Sequence, residues 1–81
     1  MYLHIGSETV LRSQNVIGIF DTDSATVSKH SRDLLNTAQR ENRVRVVSET
    51  ELPRSFLLYK DDKEIVLYLS PVAAKTLIGR T

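Results

Sequence analysis

The sequence predicts a small α+β domain: an antiparallel β-sheet of five or six short strands, one long helix and a short C-terminal helix. Three observations carry this expectation. Apolar residues recur with period two in several short, separated runs, the mark of half-buried strands. One polar-rich stretch between them switches to the 3.6-residue period of a helix. Nearly every run is bounded by Gly, Asn, Asp, Ser or Pro, the residues that favour turns. At 81 residues the chain reads as one domain, residues 1–81, because domains run from about 50 to 250 residues. It contains no repeat, linker or low-complexity tract.

Met1, Leu3 and Ile5 alternate with Tyr2 and His4, so a strand starts at the first residue. Gly6-Ser7-Glu8 is a short turn, and Thr9-Val10-Leu11-Arg12 returns as a second strand. Ser13-Gln14-Asn15 breaks the pattern. Val16-Ile17-Gly18-Ile19-Phe20 is apolar on both faces and is expected to be the most buried strand. Gly18 inside it marks a bulge or a close backbone approach. Asp21-Thr22-Asp23-Ser24 offers oxygens that cap a helix N-terminus. The helix is expected from about residue 25 to 41, with Val27, Leu34, Leu35 and Ala38 on one stripe and His30 and Ser31 between them. Lys29 and Asp33, four apart, suit a weak surface pair. Asn42 takes the left-handed conformation that ends a helix.

Alternation resumes at Arg43–Ser48, with Val44 and Val46 on one face and Arg43, Arg45 and Val47 on the other. Glu49 to Pro53 is a loop, since proline cannot donate to a central ladder. Residues 54–60 and 64–69 are strands joined by the turn Asp61-Asp62-Lys63. Ser70 then caps a last short helix with Pro71 in its first turn, and Val72, Ala73, Leu77 and Ile78 are placed to pack on the sheet.

Composition excludes several chemistries. There is no cysteine, hence no disulfide, thiol catalysis or cysteine-based zinc site. Histidines stand only at His4 and His30, unpaired, while a metal site wants three or four ligands; no metal and no cofactor are expected, and each histidine reads as structural. Asp21 and Asp23 stand where helix caps stand, and Asp61 and Asp62 occupy a turn. The serines form no G-x-S-x-G elbow, and Gly6, Gly18 and Gly79 are too far apart to cradle a phosphate. No catalytic residue, enzyme activity or small-molecule substrate is therefore expected. The start of the chain lacks the basic region and long apolar core of a signal peptide. No stretch approaches the roughly 20 apolar residues of a membrane span. These features lead to the expectation of a cytoplasmic protein without a membrane partner.

Eleven basic residues against ten acidic ones leave a net charge of +1, so bulk charge attracts no polyanion. What remains is local. Arg40, Arg43 and Arg45 bracket the helix-to-strand junction, and Arg54 begins the strand after the next loop. If the strand of Arg45 pairs near that of Arg54, their guanidinium groups gather at one end of the sheet, and guanidinium suits phosphate because its planar fork donates two bonds at once. Arg12 is a further candidate. Glu41, Glu49 and Glu51 in the same segments dilute the field. A monomer with such a patch binds DNA weakly, whereas an array repeating it gains through multivalency.

The chain resembles the small bacterial extracellular-matrix (biofilm) regulators of the RemA/RemB family and is most similar to the RemB branch. The resemblance runs through Tyr2-Leu3-His4-Ile5-Gly6, then Val16-Ile17-Gly18-Ile19-Phe20-Asp21 before a polar helix. It continues through Arg43-Val44-Arg45-Val46-Val47 and Arg54-Ser55-Phe56-Leu57-Leu58. Its most specific piece is Tyr68-Leu69-Ser70-Pro71-Val72-Ala73-Ala74-Lys75-Thr76-Leu77. It implies a fold like the LytTR DNA-binding domain, a ring-shaped homo-oligomer, and a cytoplasmic role in transcription of matrix genes. In the RemA branch DNA contact is attributed to arginines in the loop before the penultimate strand and to one near the first buried strand. Carried over, the loop positions fall on Glu51, Leu52, Pro53 and Arg54, of which only Arg54 is basic. The other falls near Asn15-Val16, where no arginine stands. By charge placement, Arg43 and Arg45 take the missing role. The expectation is a homo-oligomeric DNA-binding regulator that uses Arg54, Arg45 and Arg43, with Arg12 and Arg40 behind them. The alternative is an oligomeric interaction module that acts through a protein partner without touching DNA.

Overall fold

The period-two runs form six strands. In the computed structural model, which describes residues 1–22 and 29–80, β1 (Tyr2–Gly6) and β2 (Thr9–Arg12) make an antiparallel hairpin. Leu3, Ile5 and Leu11 are buried beneath it, while Tyr2, His4, Val10 and Arg12 line its exposed face. The turn takes positive φ at Gly6 (120°) and Ser7 (50°). A single 3-10 turn, Ser13–Asn15, leads into β3 (Val16–Asp21), followed by α1 (Lys29–Arg40), β4 (Val44–Val46), β5 (Ser55–Asp61), β6 (Glu64–Ser70) and α2 (Ala74–Arg80).

The larger sheet has the order β3-β5-β6-β4. β3 and β6 flank β5 antiparallel, but β4 runs parallel to β6. The sheet is therefore mixed, which corrects the expected antiparallel arrangement. The physical reason is the helical crossover: α1 returns the chain to β4 in the direction of β3, as a helix between parallel strands does. Leu57, Tyr59 and the hairpin residues share one core with Leu77 of α2. On the opposite face Ala38 of α1 packs with Phe56 and Leu67.

A second correction concerns residues 16–20. β3 is outermost in its sheet and none of its residues is buried; the buried positions belong to β5 and β6. Its two apolar faces are used locally instead. Ile19 packs on the hairpin-side core. Phe20 stacks on Phe56 with ring centroids 5.0 Å apart. Of the two alternatives at Gly18 the structure shows the bulge, since the register shifts between Val16 and Gly18; what comes close is a side chain, as a Cβ there would lie 2.8 Å from the Phe20 ring. An aromatic ring laid over a strand glycine replaces the packing that the missing side chain cannot supply.

Asn42 ends α1 as expected, with φ 58°. Its N–H bonds to Gln39 O at 3.2 Å and the Arg43 N–H to Ala38 O at 2.8 Å, the paired bonds of a Schellman close. Of the expected helical stripe only Ala38 is described, and it is buried. Asp21 is the last residue of β3. Asp23, Ser24, Val27, the helix start near residue 25, and the side chains of Lys29, His30, Ser31, Leu34 and Leu35 lie outside the described residues.

Ser70 does not cap a helix, the third correction. It closes β6, held there by the Arg54 N–H donating to its carbonyl at 2.8 Å, and α2 begins only at Ala74. Its fully buried hydroxyl donates to the Ile5 carbonyl and accepts the Val72 N–H at 3.0 Å. Across the ladder, Ser55 Oγ donates to Val72 O at 2.6 Å. Gly6 sits so close to this turn that a Cβ would come within 3.1 Å of the Pro71 ring. Replacing Ser70 by Ala strands a buried carbonyl and a partly buried N–H, at a cost of about 1–3 kcal/mol. Urea unfolding of Ser70→Ala should show a lower midpoint at unchanged slope; an unchanged midpoint would refute this role.

Candidate nucleic-acid interface

The five arginines proposed for phosphate contact occupy three places. Arg40 ends α1, and Arg43 and Arg45 follow on and beside β4, so these three meet at one corner. β6 separates β4 from β5, so the strand of Arg45 does not pair with that of Arg54. Arg43 is level with Ile65–Leu67 of β6, whereas Arg54 lies just past Ser70. Five strand rises make that roughly 16 Å along the sheet. Arg12 stands elsewhere again, on the exposed face of the hairpin opposite Tyr2. Arg43 and Arg54 are thus set apart along the sheet, while Arg45, level with Tyr68, stands about three strand rises from the level of Arg54, with β6 between their strands.

Their chemical states differ more than their positions. Arg43 is turned inward and its side chain is only 19% exposed. Nη1 donates to Ile65 O at 2.8 Å, and Nη2 pairs with Glu41 Oε2 at 2.7 Å. Its Nε is buried with no hydrogen-bond partner. Such a guanidinium holds the α1–β4 corner to β6, and Glu41 neutralises it. Arg45 is exposed on the outermost strand. One nitrogen, Nη1, reaches Asn42 O at 2.8 Å and Val44 O at 3.3 Å, which fixes the planar group at the sheet edge. Arg54 is exposed while its backbone is tied on both sides, its N–H to Ser70 O at 2.8 Å and its carbonyl to the Thr22 N–H at 3.2 Å. Arg40 is exposed in the last turn of α1, and Arg12 is exposed where its N–H meets Tyr59 Oη at 3.3 Å.

Sequence reasoning passed over Arg80, whose Nη1 donates to His4 O at 2.9 Å. No local pattern joins residues 76 apart in the chain. His4 itself is held in the hairpin turn, with Nε2 at 2.8 Å from Ser7 O. Tyr68, directly opposite Arg45 on β6, meets the edge of Tyr59 with ring centroids 5.7 Å apart. Burial pushes its phenol pKa up, Asp61 and Tyr59 add to this, and Arg45 opposes it.

Among the described residues, no three His, Asp or Glu side chains are placed to hold a metal ion. No helix there is long and apolar enough to cross a membrane. A shallow groove of about 360 Å³ runs along β3, lined by Ser13, Val16, Ile17, Gly18, Ile19 and Ile78. It carries no ionisable side chain.

What the fold and these positions define is a small mixed-sheet α+β domain that displays separate guanidinium groups around its margin. The RemA-like family, described as extracellular matrix regulatory protein A-like, matches residues 2–81, and the chain belongs to that family. No curated protein sequence matches it. Membership places the chain among the extracellular matrix regulators.

Two measurements separate the arginines. Arg43→Ala should destabilise the fold by about 1–3 kcal/mol through the unpaired carbonyl it leaves, and Arg45→Ala by less than about 0.5 kcal/mol, read from thermal melts. Equal effects would refute the division. For Tyr68 the raised pKa means that the unfolded chain loses its phenolic proton first. Stability is thus complete below the ordinary tyrosine value and falls as pH rises through the folded one. Phenolate absorbance of the folded protein should show a late step that Tyr68→Phe removes and that Arg45→Ala moves still higher.

Proposed function

We propose that this chain is a RemB-like transcriptional regulator of extracellular-matrix (biofilm) genes. In this reading it is cytoplasmic, LytTR-like in fold, and works as a ring-shaped homo-oligomer whose copies contact DNA phosphates through repeated arginines. The observation that carries the reading is the family match over residues 2–81. Within the chain, Arg54 and Arg45 are the principal contacts: both are exposed, the Arg54 backbone is tied on both sides, and the Arg45 guanidinium itself is anchored on backbone carbonyls. A held guanidinium loses less side-chain entropy when it meets a phosphate. Arg40 and Arg12 contribute as exposed cations, and Arg43 sets the corner from which Arg45 projects.

The arithmetic requires many copies. With a net charge of +1 and its arginines dispersed, one subunit reaches few phosphates, and non-specific duplex binding of that kind is weak and salt-sensitive. Repeating the contact around a ring raises the effective concentration of each next arginine without any new chemistry.

A second reading is favoured by the exposed Glu51 and Leu52, which stand where the RemA branch is read to have arginines. An acidic and apolar loop suits a protein partner better than a phosphate, so the chain would act as an oligomeric interaction module.

Fluorescence anisotropy with a labelled duplex over a salt series distinguishes the two. DNA binding predicts affinity that falls steeply with salt, and a log–log slope that each lost phosphate contact in the Arg45→Ala/Arg54→Ala variant lowers by about one. A variant that binds as the parent does at every salt concentration overturns these contacts. A parent with no salt-dependent binding supports the interaction module.

A further inference from the structure

We infer that the loop carrying Leu52 in one copy docks into the β3 groove of a second copy, so that assembly proceeds head to tail. The inference rests on the assembly proposed above and names the surfaces that make it. Leu52 is 87% exposed, on a loop that is not slack. Ser48 Oγ accepts the N–H groups of Thr50 and Glu51 at 3.4 and 3.2 Å. Thr22 Oγ1 donates to Pro53 O at 3.2 Å, and Arg54 N–H ties the loop's end to Ser70 O. An apolar side chain held out on a pre-formed loop binds without the cost of ordering it.

The groove is the matching concave surface. Ile17, at the bulge in β3, stands outward on one side, and Ile78 of α2 forms the other wall; Ile17 and Ile78 are each 57% exposed. The charges at the margins are complementary. Leu52 is flanked by exposed Glu49 and Glu51, while exposed Lys75 stands one turn before Ile78 at the groove's margin. Opposite charges around an apolar centre steer and orient a contact. Arg54, two residues past Leu52, belongs to the end of the loop already tied to the sheet.

Two other sheet edges are occupied. The Arg45 guanidinium lies on the Val44 carbonyl of β4, and that of Arg80 on the His4 carbonyl of β1. Covered carbonyls discourage strand addition at those two edges, which favours side-chain docking at the β3 groove. Loop and groove are different surfaces, so the contact is heterologous and closes into a ring where its rotation allows.

The test is solution mass by light scattering of Leu52→Asp, of Ile17→Asp and of their equimolar mixture, with circular dichroism to establish that each variant is folded. Both positions are exposed, so folding should survive. Each variant alone should be monomeric. The mixture should form a dimer and nothing larger, because one intact loop meets one intact groove. Glu51→Lys should weaken assembly several-fold, and adding Lys75→Glu should restore it. A parent that assembles while either single variant keeps the parental mass overturns the inference, as does a mixture that stays monomeric; the proposed assembly then stands without it. A parent that is monomeric at every concentration overturns the assembly itself.

Discussion

A hydroxyl group donates one hydrogen bond while accepting others, and at Ser70 both capacities are used inside the core. The donated bond reaches the Ile5 carbonyl of the hairpin, and the accepted one comes from the Val72 N–H in the turn toward α2. Ser55, opposite Ser70 on β5, holds the Val72 carbonyl from the other side. Three separate pieces, the hairpin, the four-stranded sheet and the last helix, are joined at this point. Gly6 follows from the same constraint: the hairpin can approach the Pro71 ring only because no Cβ intervenes. Once α2 is placed there, Leu77 fills the hairpin-side core, Ile78 stands beside β3, and Arg80 reaches the His4 carbonyl.

The same reasoning sorts the arginines. A guanidinium carries five donors, and what it does depends on which of them the backbone has already taken. At Arg43 a carbonyl and a carboxylate are satisfied in a partly buried corner, so its charge contributes to the joint between α1 and β6 and little to the field outside. At Arg45 a single nitrogen is anchored and the group is exposed. Two arginines two residues apart thus differ in kind. Counting basic residues in the segment 40–45 therefore overstates the field that a phosphate would meet.

Much of the fold was legible. Six strands lie close to the runs of alternation, Asn42 ends the helix, and Gly18 marks a bulge, because these are local consequences of side-chain period and backbone freedom. What could not be read was adjacency. Alternation reports which face a residue takes, not which strand lies beside it, so the parallel pairing of β4 and the outer position of β3 were missed. Ser70-Pro71 was misread for a related reason: serine before proline suits a helix start and equally a tight turn, and only the ladder bond from Arg54 decides between them. For the candidate site, the residue types were legible and their commitments were not. Nothing near Arg43 in the chain announces Ile65, and nothing near Arg80 announces His4.

A domain this small buries only about 60–65% of the surface of its unfolded chain, so contact between copies would add materially to its stability. Free strand edges are the usual route to such contact and also the usual route to uncontrolled growth. Here the hairpin edge and the β4 edge each carry an arginine on a backbone carbonyl, and β3 is bulged. Strand addition is thereby discouraged at three of the four outer strands, which favours side-chain docking for the proposed association. Side chains, unlike a repeating ladder of backbone groups, fix one relative orientation, and a fixed orientation is what lets a chain of subunits close. The proposed assembly, which repeats the same few cations at regular spacing, depends on that property more than on a larger charge.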